Sequence, residues 1–140
     1  LQAAYIFNFA KYIKWPAETS AFVIGVSGRS EIMEELQNTL RGKKVAGRPI
    51  ELRSISTTEE AGKCNIVYLP ESNSRELGTL RTTLTGKQVL IVTEEDLIKK
   101  GACISFFVED DRLRFKIKKA ALAEAGLEAT DGLLKLAVLL

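Results

Sequence analysis

The stretch "FVIGVSGRSE", Phe22–Glu31, decides how the rest of the chain is read. Its apolar, β-branched run reads as a buried strand, the Gly-Arg-Ser step as a turn, and the residues after Ser30 as the start of a helix. A strand, a glycine turn and a helix N-terminus are the parts from which backbone phosphate cradles are built. The parts do not make the cradle here. The dinucleotide fingerprint requires G-x-G-x-x-G and the mononucleotide loop G-x-x-x-x-G-K-[ST], whereas Gly25 and Gly28 are followed by Arg29, Ser30 and Glu31.

Working outward, strand-like runs recur at 21–27, 48–55, 64–69, 88–92, 103–108 and 112–117, with helical patterns between most of them. Residues 30–41 predict a helix capped by Ser30, with Ile32, Met33, Leu36 and Leu40 inward. Residues 72–84 predict a second helix behind a Ser-Asn-Ser start, and 94–100 a short one capped by Thr93. Helices are also predicted at 118–125 and 130–140. The segment "LLKLAVLL" (133–140) is apolar nearly all round, which predicts burial or continuation into further sequence. Ahead of these elements, residues 2–14 place Ile6, Phe9, Ala10 and Ile13 on one helical stripe that suits packing on a core, and Pro16 stops that helix.

This alternation predicts an α/β fold with a single doubly wound, mostly parallel sheet of about six strands and helices on both faces. The expected strand order is 2-1-3-4-5 with the sixth strand beside the fifth. Only Asp110 and Asp111 separate the last two strands, so an antiparallel hairpin is expected at the C-terminal edge. One hundred and forty residues with 46% apolar content suit one domain over 1–140.

Twenty basic against 18 acidic residues give a formal charge of +2, which argues against a nucleic-acid reader. No apolar run approaches the roughly twenty residues that cross a bilayer, so direct membrane insertion is not expected. The chain has no histidine, which removes Ser-His-Asp, Cys-His and His-metal chemistry. No cofactor or metal is implied, and no nucleophile is paired with a base, so an enzyme is disfavoured. The acidic doublets Glu34-Glu35, Glu59-Glu60, Glu94-Glu95 and Asp110-Asp111 lack acid-base partners and read as solvated surface.

The two cysteines, Cys64 and Cys103, are either buried thiols or one disulfide. A bridge would close about forty residues and stabilise by roughly 4 kcal/mol. In the expected strand order, however, another strand lies between them, and two strand spacings of about 9.6 Å exceed the roughly 7 Å reach of a disulfide.

Ligands of such sheets bind beyond the carboxyl ends of the strands, at the switch point. Ser27, Gly28, Arg29 and Ser30 would line that crevice with Glu71 and Ser72, and Arg29 with nearby N–H groups could hold a carboxylate or phosphate. The alternative is an Arg29 that is solvated or paired with Glu71. Along the last strand Arg112, Arg114, Lys116 and Lys118 alternate with Leu113, Phe115 and Ile117. That basic face is either an edge charged against aggregation or a docking surface for an acidic partner.

Several segments carry a resemblance in order along nearly the whole chain: "AAYIFNFAKYIKWP", "FVIGVSG", "LRGKKVAGRPIELR", "CNIVYLP", "GKQVLIVTE" and the block from Gly101 through "RLRFKI" to "LLKLA". Together they are similar to the YfiR family of small exported regulators. The resemblance implies a periplasmic protein whose export signal is removed. It also implies binding to the periplasmic sensor region of a membrane diguanylate cyclase, which the regulator represses, lowering cyclic-di-GMP signalling and with it biofilm formation. An outer-membrane lipoprotein would draw the regulator away, and a homodimer through the first helix or the basic edge is plausible. Where the family commonly reads Phe-Glu-Ile-Asn and Gly-Gly-Met-Ile, this chain has Phe115-Lys116-Ile117-Lys118 and Gly101-Ala102-Cys103-Ile104. Neither a partner contact at those lysines nor a bridge at Cys103 is carried over from the family. A second reading, from the ligand-binding class, is an extracytoplasmic sensor of a small anionic metabolite.

Overall fold

The central apolar runs Phe22–Val26, Ile66–Leu69 and Leu90–Thr93 become strands that are buried on both sides, as parallel strands between two helical layers must be. The computed structural model describes residues 1–16 and 19–140. From the N-terminus the chain runs α1 (Gln2–Tyr12), β1 (Ile13–Lys14), β2 (Phe22–Ser27), α2 (Ile32–Leu40), β3 (Lys44–Val45) and β4 (Arg48–Ile55). It continues through α3 (Thr58–Ala61), β5 (Ile66–Leu69), a 3-10 segment (Glu71–Glu76), α4 (Leu77–Leu84), β6 (Leu90–Thr93) and a 3-10 turn (Ile98–Lys100). The last part holds β7 (Ile104–Glu109), β8 (Arg112–Ile117), α5 (Lys119–Ala125), β9 (Glu128–Ala129), α6 (Asp131–Leu134) and β10 (Val138–Leu139).

The main sheet has the order β10-β8-β7-β6-β5-β2-β4-β3. Its central strands from β4 to β7 are parallel, and β7 and β8 form the antiparallel hairpin. The six strands read from the sequence therefore stand in the anticipated order, but the sheet has eight strands, not about six. One addition is β3, which folds back on β4 through Ala46 and Gly47, both at positive φ (50° and 78°). The other is β10, which runs parallel to β8 at Lys116 and Ile117. A separate two-residue pair joins β1 to β9.

The C-terminal helix predicted over 130–140 is corrected to the single turn α6 followed by β10. The outer edge of β8 decides this, because its backbone groups need partners more than an exposed helix end does. The Leu140 N–H donates to the Ile117 carbonyl at 2.9 Å, and the Lys119 N–H to the Leu140 carbonyl at 3.2 Å. Of the apolar tail, Leu133 is buried, whereas Leu136, Leu139 and Leu140 remain exposed. The helix read over 2–14 stops at Tyr12, because Ile13 and Lys14 pair with Ala129 and Glu128. The 94–100 helix shrinks to a 3-10 turn. There the Leu97 N–H donates to Ser105 Oγ (3.2 Å), Ser105 Oγ lies 2.6 Å from Thr93 Oγ1, and Thr93 Oγ1 donates to the Glu95 carbonyl (2.8 Å). Thr93 thus holds the loop from inside the core instead of capping a helix.

Alternation along the strands sorts the core into two layers. Phe22, Ile24, Ile66, Tyr68, Leu90 and Val92 meet α1 and α2 on one face. Val23, Ile55, Val67, Leu69, Val89 and Ile91 meet α3 and α4 on the other. At the C-terminal side the hairpin turns at Asp110 and Asp111, with φ of 51° and 62°, as a two-residue type I′ turn requires.

The face under α1 is built around rings. Phe9 lies 5.8 Å from Phe106 and 5.0 Å from Phe115, and Tyr5 lies 6.0 Å and 5.4 Å from the same pair. Trp15, at the exit of α1, packs edge-on against Phe22 at 4.9 Å and donates its indole N–H to the Gln88 carbonyl at 3.0 Å. Phe9 is fully buried. Phe9→Ala is therefore expected to cost about 3–5 kcal/mol in denaturant unfolding. A loss below about 1 kcal/mol would show that α1 is not part of the cooperative core.

Candidate functional site

The parallel strands β2, β5 and β6 end at the same side of the sheet, where the sequence placed the candidate ligand residues. Ser27 closes β2, and Gly28 (φ 77°) turns the chain toward α2. Several polar groups of this turn are taken up within the fold. The Gly28 N–H donates to the Ile55 carbonyl at 2.9 Å, and Ser54 Oγ donates to the Gly28 carbonyl at 3.1 Å. Asn73 Nδ2 donates to the Ser27 carbonyl at 2.9 Å, and Ser30 Oγ accepts from the Ile32 N–H at 3.3 Å. A Cβ on Gly28 would sit 2.4 Å from Asn73 Nδ2, so glycine is required both by its φ and by that close approach. Ser27 and Gly28 thus form a corner locked between β2, β4 and the Glu71–Glu76 segment.

Asn73 was not legible as a site residue. In "SNS" it reads as the start of a helix, yet its backbone departs from helical values (φ −115°, ψ 17°) as its amide reaches back to Ser27. Two separate depressions flank it. Ser27 and Gly28 line a small one of about 160 Å3 with Thr57, Thr58 and Glu76. Arg29, Ser30, Glu71 and Ser72 line an open cleft of about 580 Å3. The six candidates therefore share one end of the sheet but not one cavity.

The larger cleft has the wrong charge for the anion anticipated at Arg29. Glu31, Glu35, Glu71 and Glu94 line it against Arg29, and Glu94 Oε1 accepts the Glu71 N–H at 2.7 Å. Glu35 is also engaged, accepting the Ala3 N–H at 3.2 Å in the first turn of α1. At the floor the Tyr68 hydroxyl donates to Gln2 Oε1. Burial pushes the Tyr68 phenol pKa upward, and Glu94 and Glu35 push it the same way. The anticipated Arg29–Glu71 ion pair is not among those of the described residues.

The basic stripe is corrected in two respects. First, β8 is not the sheet edge at Lys116 and Ile117, because β10 covers it there. Second, the cations are not a free row. Arg114 Nη1 lies 2.5 Å from Glu109 Oε1 and Lys116 Nζ 2.5 Å from Asp96 Oδ2, and both cations sit over the Phe107 ring. Exposed pairs of this kind contribute about 0–1 kcal/mol, so they mainly fix geometry and cancel field. Arg112 is exposed beside the turn, and Lys118 is half-buried at the entry to α5.

Among the described residues no group of three or more His, Cys, Asp or Glu side chains is placed to hold a metal ion. Among the described residues no helix is long and apolar enough to cross a membrane. The family model described as YfiR/HmsC-like matches residues 1–138. The chain belongs to this family. YfiR/HmsC-like domains are regulatory rather than catalytic, and the family points to periplasmic control of diguanylate cyclase signalling.

In this YfiR/HmsC-like domain Cys64 and Cys103 are free, buried thiols. The bridge that their number allowed is absent because they flank β6. The Leu90 N–H bonds the carbonyl beside Cys64, at Asn65, and the Cys103 N–H bonds the Ile91 carbonyl. Cys64 has a packing role. Its sulfur would lie 2.6 Å from a Cβ at position 25, which is why the centre of β2 is glycine. Burial pushes each thiol pKa up to about 11. The folded thiolate fraction should then be about 100-fold lower than in the unfolded chain. Both thiols are expected to stay unreacted toward an aromatic disulfide reagent at pH 8 and to titrate as two equivalents in guanidinium. Rapid reaction without denaturant would contradict this burial.

Proposed function

We propose that this chain is a single periplasmic regulatory domain over residues 1–140. In this reading it represses a membrane-bound diguanylate cyclase by binding the cyclase's periplasmic sensor region. The observation that carries this is the family match over residues 1–138. The corner at Gly28 is consistent with it, since the Gly28 N–H and the Ser27 and Gly28 carbonyls are already bonded within the fold.

Repression by binding is a shift of populations. The regulator must prefer the inactive cyclase conformation, because a ligand of equal affinity for both states moves nothing. Taking a cyclase from 99:1 active to 1:99 requires about a 10⁴-fold preference. An outer-membrane lipoprotein that competes for the same regulator would release the cyclase by mass action. A homodimer would present two copies of each surface. Of the β8 stripe, Arg112, exposed beside the hairpin turn, is the part we assign to partner contact, since Arg114 and Lys116 already meet carboxylates.

The second reading is a small-ligand sensor, and the open cleft at Arg29 and Glu71 favours it. Its carboxylates change the ligand class from the anion first considered to an amine or other cation.

Calorimetry of the chain against the periplasmic region of a diguanylate cyclase encoded beside it is expected to show micromolar or tighter binding. The affinity should be the same with and without reductant, because both cysteines are unbridged. Absence of binding, together with a rise in melting temperature on adding a small cationic metabolite, would replace the repressor reading with the sensor one.

A further inference from the structure

The sheet edge opposite β10 is left open. Residues Ile50–Ile55 of β4 pair with β2 on the inner side, but on the outer side only Arg48 and Pro49 meet β3. Among the described residues no strand lies beside the remaining outer edge. An open edge of this length is a template for an added strand.

A groove of about 560 Å3 runs alongside it, between β4 and the C-terminal end of α2. Its apolar floor comes from Leu40, Ile50 and Leu52, and its rim carries Arg41, Lys43 and Lys44. Among the described residues no carboxylate lines it. Lys43 Nζ is held 4.9 Å over the Phe7 ring, so part of the positive rim is fixed in place. The charge contrast with the acidic cleft at Glu71 and Glu94 is large for a chain of formal charge only +2.

We propose that this edge and groove together dock an acidic, extended peptide segment of a partner protein, added as a strand beside β4. Its backbone would use the open edge, its apolar side chains the floor, and its carboxylates the rim. A phosphate-bearing ligand would use the cations but neither the floor nor the edge. A second copy of this chain would bring two basic rims together, which repels. On the other face of β4, Glu51 and Arg53 are paired at 3.0 Å, which keeps that side solvated and the edge selective. The inference does not depend on which protein supplies the segment.

The test uses the full chain and a labelled peptide of roughly eight residues alternating valine and glutamate, with a valine–lysine peptide as control. Anisotropy should show binding of the glutamate peptide alone, and hydrogen exchange should show new protection of β4 amides. Arg41→Glu with Lys44→Glu, both exposed, should weaken binding at least about tenfold while the circular dichroism spectrum stays unchanged. No binding, binding indifferent to these substitutions, or binding without β4 protection overturns the proposal. Concentration-dependent protection of β4 without peptide overturns it in favour of self-association. The repressor reading is tested separately by calorimetry with the cyclase region, so either idea can fail alone.

Discussion

Phe9, packed against Phe106 and Phe115, ties the first helix to the last hairpin, and the rest of the fold is arranged around that contact. The residues involved are about a hundred positions apart in sequence, so the chain gains this burial only when both ends have come together. The ring cluster also explains why α1 has nothing left on its apolar stripe for a membrane or partner, since Ala3, Ile6, Phe9 and Ala10 are all buried. At its N-terminal end the helix is held a second time, by Glu35 of α2 accepting the Ala3 N–H. At its C-terminal end it passes into β1, which pairs with β9. The two chain ends therefore stabilise each other, and the sheet between them is closed on the α1 face.

That closure shapes where function can sit. The switch-point corner, where sheets of this order usually bind nucleotides, is filled by Asn73 and by bonds from Ile55 and Ser54. Among the described residues the two largest openings lie on the surface: an acidic cleft at one end of the strands and a basic groove beside β4. A domain with a closed interior and oppositely charged surfaces is suited to recognising another protein, which agrees with membership of a family of regulators.

The central strands were legible because parallel strands buried on both faces leave continuous apolar runs, as in Phe22–Val26 and Ile66–Leu69. Their order followed from the alternation with helices. The two-residue strands β1, β3, β9 and β10 were not legible, since two residues carry no period. "LLKLAVLL" shows the same limit differently: its local pattern is helical, but Val138 and Leu139 are drawn out by the open edge of β8. At the candidate sites the alternation of Arg112, Arg114 and Lys116 was visible, whereas Glu109 and Asp96, which neutralise two of them, lie outside that strand. The acidity of the cleft was hidden for a like reason, because Glu31, Glu35, Glu71 and Glu94 come from three separate segments.

Under the proposed function, this domain holds a cyclase inactive from the periplasmic side. The most direct measurement is GTP turnover by the full-length membrane cyclase in lipid nanodiscs, titrated with the purified domain. Cyclic-di-GMP production is expected to fall saturably at the concentrations where binding occurs. Turnover that is unchanged, or that rises, at saturating domain would contradict it.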